Sequence, residues 1–234
     1  MSTLNKPLLS FRNYLERICE GTNTIEYLDQ LARAHRILIF SGVIRDYFLG
    51  MEEKKPRDID VVIMDVVTLD DVRGFIKTLP YKKNHYGGYK ANVGSITIDI
   101  WPISQTWGIR EKKLSPTPEN LIQTAFFNFS SVAYKYNEEE FIFSDEFFRF
   151  MDSHKLDVVM EDNPLTELCI ANTVYYSKKY NLPIAERLLE WIDSHYDSSL
   201  DYEIIQLEHF GEIMHSNDEI EKYINLILNR MYYV

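Results

Sequence analysis

The sequence predicts an α+β fold: a head of mixed sheet and helices over residues 1–150, its N-terminal helices included, followed by a small all-α domain over 151–234. Three observations predict it. Short apolar runs of strand length recur at Arg36–Phe40, Arg57–Met64 and Ser95–Trp101, the last two with the period-2 alternation of a half-buried strand. Helical patterns separate these runs, and beyond Met151 the pattern is helical throughout. With 234 residues and 45% hydrophobic content, the chain can bury a sizeable core in one large or two small domains.

In order, a leading helix is expected over Leu8 to Ile18 and a second over Thr24 to Ala34, then the Arg36–Phe40 strand. Val43 to Leu49 reads as a helix closed by Gly50, because glycine readily takes the left-handed conformation past a helix end. Val67 to Leu79 reads as a helix crossing between two strands, Tyr86-Gly87-Gly88-Tyr89 as a turn, and Phe141–Phe143 as a further strand. The four later helices are expected at Pro164–Lys179, Pro183–His195, Tyr202–His215 and Asp218–Met231. In the last, Ile220, Tyr223, Ile224, Ile227 and Met231 share one face, which predicts packing against the preceding helices.

The strands carry the chemistry. Alternation puts Asp58 and Asp60 on one face of a strand, about 6.5–7 Å apart, with Ile59, Val61 and Ile63 on the other. Asp99 sits in a second alternating run whose Ile96, Ile98 and Ile100 share a face. If the two strands are neighbours, three carboxylates converge, and without a cation they would repel and take up a proton. Oxygen-only ligation completed by water and substrate phosphates suits Mg²⁺, with Mn²⁺ as a substitute. Two such ions can stabilise both the attacking and the leaving oxygen of a phosphoryl displacement. The trio therefore predicts nucleotidyl transfer from an NTP or dNTP, with Asp58, Asp60 and Asp99 as catalytic metal ligands.

Ser41-Gly42 falls where a strand gives way to a helix, a place where backbone N–H groups bind phosphate, and glycine lets a triphosphate approach the main chain. Arg45, one turn into that helix, could reach a phosphate or a neighbouring acid; Arg57, beside Asp58, could neutralise further charge, and Asp46 could orient either arginine.

Ser41-Gly42-Val43-Ile44-Arg45-Asp46 with Leu49-Gly50, followed by Arg57-Asp58-Ile59-Asp60, resembles the head domain of the DNA polymerase β superfamily, in the branch of bacterial poly(A) polymerases and CCA-adding tRNA nucleotidyltransferases. That branch reads Gly-Gly-x-Val-Arg-Asp-x-Leu-Leu-Gly and then Asp-x-Asp. Phe127–Tyr134 and the segment from Asn163-Pro164-Leu165 to Ile184-Ala185-Glu186 extend the likeness more loosely. The resemblance implies a polymerase β-like fold, Mg²⁺-dependent and template-independent addition of nucleotides to a hydroxyl, and a nucleotide contact at Asn163. It also has a break. Where the CCA-adding branch places an Asp and an Arg that pair with the incoming base, this chain has Asn163 and Thr166. Threonine offers neither a charge nor a bidentate fork, so tRNA maturation is not expected.

Charge agrees with this. With 25 Lys+Arg against 36 Asp+Glu the formal net charge is −11, and the lysine pairs at 54–55, 82–83 and 112–113 are isolated. Proteins that hold long nucleic acids cluster their cations; long duplex or structured RNA is disfavoured and a short single strand is not. No apolar run is long enough to span a bilayer, the start lacks a signal peptide's pattern, and Cys19 and Cys169 have no metal-like spacing, so a reducing cytoplasm is expected.

The chain closes on Arg230-Met231-Tyr232-Tyr233-Val234. A phenolic oxygen is an adequate nucleophile for an α-phosphate once its pKa is lowered, so Tyr232 or Tyr233 is a candidate primer for self-primed synthesis. An acidic head with a helical appendage and a tyrosine-ended tail resembles the nucleotidyltransferase component of Hailong-type anti-phage defence systems. That resemblance implies a short single-stranded oligonucleotide product and a membrane effector protein as partner, and leaves a homo-oligomer open. Two other readings stand beside it: a toxin-like nucleotidyltransferase that modifies tRNA 3′ ends or a protein side chain, and an inactive nucleotide-binding module.

Overall fold

The computed structural model describes residues 10–40, 42–51, 55–66, 68–84 and 86–232, with no side-chain description for 230–232. The chain forms two compact units, one up to Thr124 together with Ser130–Ser144, the other Ala125–Phe129 together with the chain from Asp145 onward.

The first unit is built on a seven-stranded mixed sheet. Its elements are α1 (Phe11–Ile18), α2 (Thr24–Ala34), β1 (Ile37–Phe40), α3 (Gly42–Phe48), β2 (Asp58–Ile63), α4 (Leu69–Ile76), β3 (Tyr81–Lys83), β4 (Tyr89–Val93), β5 (Ile96–Pro102), α5 (Trp107–Glu111), α6 (Pro118–Ile122), β6 (Val132–Lys135) and β7 (Glu140–Phe143). The strand order is β3-β4-β5-β2-β1-β6-β7. Only β2 and β5 run parallel; the other neighbours are antiparallel. A parallel pair needs a crossover, and here α4 and the β3–β4 hairpin supply it. The expected crossing helix is present but shorter, opened by a capping box in which Thr68 and Asp71 bond each other's backbone N–H.

Register explains why the sheet is stable and why the site lies on one side of it. Ile37 and Ile39, Ile59, Val61 and Ile63, Ile96, Ile98 and Ile100, and Ala91 and Val93 fill one face and are almost fully buried. Tyr134, opposite Ile39, joins this face, and its ring meets Phe11 of α1 at 4.7 Å between centroids. The opposite face changes character within two residues. Asp60 and Asp99 stand side by side, and the next pair along the same strands is Val62 and Trp101. Val62 joins Leu38, Ile103, Ile109 and Leu121 in a core covered by α5 and α6, with Trp101 packed against it. Phe40, paired with Asp60, packs against the edge of that cluster.

In the second unit, α7 (Asp145–Ser153), α8 (Thr166–Tyr180), α9 (Glu186–His195), α10 (Tyr202–Phe210) and α11 (Asn217–Tyr232) form an all-helical body. The segment Ala125–Phe129 is bound into it: Asn128 donates to the Lys155 carbonyl at 2.9 Å and accepts from the Asp157 N–H at 3.0 Å. On α11, Ile220 and Ile224 are fully buried and Tyr223 and Ile227 partly so, as the helical spacing predicts. The Tyr202–His215 expectation is too long. The helix ends at Phe210 because Gly211 turns left-handed at φ +80°. The chain then folds back, and the buried Gln206 amide accepts from the Met214 and His215 N–H groups while donating to the His215 and Tyr202 carbonyls.

Candidate active site

β2 and β5 bring the aspartates together. Asp58 and Asp60 share the non-isoleucine face of β2, and parallel pairing sets Asp60 directly beside Asp99 of β5. Burial, reinforced by the charges of Asp99 and Asp58, lifts the Asp60 carboxyl well above the ordinary carboxylate range. Burial also raises Asp99, against the opposing pull of Lys90 and Asn84. Asp60 has no ion-pair partner among the described residues, whereas its neighbours do. Arg57 donates to Asp58 through Nη2 at 2.9 Å and Nε at 3.2 Å, and Lys90 Nζ lies 3.3 Å from Asp99 Oδ2.

Arg45 is buried on α3, where its Nε donates to Asp46 at 3.0 Å, and its charge opposes the rise at Asp60. Gly42 opens α3, and the nearest atom a Cβ there would meet is Arg45 Nη2, 3.9 Å away. Ser41 lies outside the described residues. Asn163 belongs to the second unit, where its Oδ1 accepts from the Leu165 N–H at 3.0 Å and its carbonyl accepts from the Thr166 hydroxyl at 3.2 Å. Tyr232 is the last residue of α11, and Tyr233 lies outside the described residues.

Two site residues escaped the sequence reading. Lys90 pairs across to Asp99, and it was legible, since alternation along Tyr89–Val93 sends it to the face opposite Tyr89, Ala91 and Val93. Asn84 donates through Nδ2 to Asp99 Oδ1 at 2.5 Å, and its own Oδ1 is buried without a partner among the described residues. No pattern in the sequence marks it. Its position follows from the hairpin turn, in which Gly87 adopts φ +93° and the Asn84 N–H donates to the Gly88 carbonyl at 2.8 Å. A Cβ on Gly88 would stand 2.9 Å from Asn84 Nδ2 and 3.2 Å from the Ile100 carbonyl oxygen.

The donor set suits a hard divalent cation: carboxylate oxygens only, on one face, with the central one in no direct ion pair among the described residues. Among the described residues, no three carboxylate, imidazole or thiol groups stand in a chelating array; Asp58 pairs with Arg57 and Asp99 with Lys90. No described helix is long and apolar enough to cross a membrane.

No protein-family model matches the chain, and no curated protein does. Solved structures do. The fold is similar to that of the Thermotoga maritima CCA-adding enzyme complexed with tRNA, at 16% identity and a TM-score of 0.64, over 93% of this chain and 53% of that one. A CCA-adding enzyme with CTP gives 15% and 0.64 over 93% and 54%. A tRNA nucleotidyltransferase with a primer tRNA and an incoming ATP analog gives 14% and 0.58 over 86% and 60%. The chain spans about half the length of these proteins. The architecture is therefore α+β, with a mixed-sheet head like that of CCA-adding enzymes and tRNA nucleotidyltransferases.

Proposed function

We propose that the protein is a metal-dependent, template-independent nucleotidyltransferase that moves a nucleoside monophosphate from an NTP or dNTP onto a hydroxyl acceptor. The observation that carries this reading is the row formed by Asp60 and Asp99 in parallel register with Asp58 on the same face. Asp58, Asp60 and Asp99 would hold Mg²⁺ or Mn²⁺, which when bound supplies charge neutralisation for the triphosphate. Arg45 and Arg57 add fixed positive charge beside the carboxylates, and Ser41 and Gly42 supply backbone donors to phosphate. Asp99, next to the acceptor, orients its hydroxyl. Positioning and electrostatics make up most of such catalysis.

The finer reading is that the first nucleotide goes onto Tyr232 or Tyr233, so that a short single strand grows on the protein itself, as in Hailong-type defence. The acidic balance of the chain and the adjacent phenols of Tyr232 and Tyr233 support it. Purified protein incubated with Mg²⁺ or Mn²⁺ and each α-labelled NTP and dNTP, without primer, tests both levels. Label that stays with the protein through denaturing electrophoresis, maps to Tyr232 or Tyr233 by mass spectrometry and is lost in Asp60→Ala is the expected result. Label only on added tRNA or another protein would replace self-priming with a toxin-like transfer. Absence of Mg²⁺-dependent NTP binding would leave an inactive module.

A further inference from the structure

The row that crosses the sheet through the aspartates continues past them. In register, Asp60 of β2 lies beside Asp99 of β5, Asp99 beside Lys90 of β4, and Lys90 beside Lys82 of β3. Residues paired directly across neighbouring strands share a face, so two carboxylates give way to two ammonium groups along one line, at about 4.8 Å per strand. Lys82 is exposed at the sheet edge. Asn84, just past the strand, reaches Asp99 on the same face and keeps a buried carbonyl oxygen with no partner among the described residues. In a chain of net charge −11, the exposed Lys82, standing in line with Lys90, which Asp99 holds at 3.3 Å, and with the Asn84 acceptor, calls for an anionic, hydroxyl-bearing ligand.

The topology also says which ligand. Arg45, on the helix that follows β1, flanks the aspartates from the β1 side of β2, and Lys90 and Lys82 flank them from the β5 side. In a phosphoryl displacement the attacking and leaving oxygens are roughly in line. With the triphosphate toward Arg45, the attacking hydroxyl arrives from the Asp99 side, over β4 and β3. We infer that Lys90 and Lys82 form a track for the backbone phosphates of a short single-stranded oligonucleotide acceptor, with the Asn84 carbonyl accepting from a hydroxyl at its end. This rests on the nucleotidyltransferase reading. No bond is made or broken on the track, so Lys82 binds and positions.

The test uses the full chain and a fluorescein-labelled six-nucleotide single strand, as DNA and as RNA, followed by anisotropy across a salt series. Lys82→Glu is compared with Lys83→Glu, the same charge change one residue along on the other face. The track predicts that Lys82→Glu weakens binding about fivefold or more and flattens the log Kd against log salt slope by about 0.7, with Lys83→Glu within about twofold of wild type. Equal losses in both variants, or none in either, would overturn it, as would transfer to an added protein at a rate Lys82→Glu leaves unchanged. Calorimetry of Mg²⁺–ATP binding by wild type and Asp60→Ala runs in parallel and tests the transferase reading by itself. Lys82-specific oligonucleotide binding without Mg²⁺–ATP binding would support the track and remove the transferase.

Discussion

At the scale of single residues, Asp60 is a poor choice for stability and a good one for holding a cation. It is a half-buried carboxylate flanked by two others, in no direct ion pair among the described residues. Asp60→Asn should cut turnover by about 10³-fold or more, while the metal-free protein gains about 1 kcal/mol because the crowded charge is gone. Radiolabel incorporation and thermal melts in chelator read the two effects separately. Gly88 makes the complementary case. Its replacement by alanine drives a methyl into Asn84 and the Ile100 carbonyl, so Gly88→Ala should cost about 1–3 kcal/mol and weaken activity by displacing the support of Asp99, as paired denaturation and activity measurements would show. The aspartates were legible in the sequence because strand alternation is a fixed geometric rule. Asn84 was not, because its contact depends on a hairpin register that only the folded turn defines.

Elements are held by polar contacts as well as by their apolar stripes. Arg12 of α1 grips Asp29 of α2 through both terminal nitrogens at 2.9 and 3.0 Å, and the Tyr136 hydroxyl donates to the same carboxylate at 2.7 Å. The Arg12 guanidinium holds Asp29 below the ordinary carboxylate range. A lowered folded-state pKa gives stability that is present above the unfolded value, about 3.9, and lost as pH falls through the folded one. Asp29→Asn should therefore cost about 1 kcal/mol at pH 7, allowing for solvent screening, and the gap to wild type should close in urea titrations below about pH 4. In the second unit, Gln206→Leu would strand backbone groups of Met214 and His215, at a cost of about 2–3 kcal/mol, measurable by chemical denaturation. That glutamine also explains why the Tyr202–His215 expectation overran. Periodicity continues past Phe210, but a left-handed glycine and one buried amide turn the backbone around, and neither registers in a hydrophobic pattern. The helices at Thr24–Ala34 and Asn217–Tyr232 were readable because nothing competes with their spacing.

At the scale of the whole chain, the parallel pairing of β2 with β5 could be anticipated from two similar runs separated by a helix. The sheet order and the binding of Ala125–Phe129 into the second unit could not, since both depend on contacts far apart in sequence. The charge balance bears on partners. Added tRNA should bind no more tightly than about 10 µM at 150 mM salt, the range of non-specific association, and a filter-binding titration would show it; nanomolar binding would return a tRNA acceptor to consideration. The β3 edge has a consequence of another kind. An outermost strand offers unpaired amides and carbonyls to any extended chain that drifts against it. Here that strand is three residues long, follows Pro80, and presents Lys82 and Lys83 to opposite sides with all three of its residues exposed. A second copy trying to extend the sheet would find little backbone to pair with and like charge on both faces, so the lysines that suit a nucleic-acid phosphate also discourage the protein from polymerising with itself.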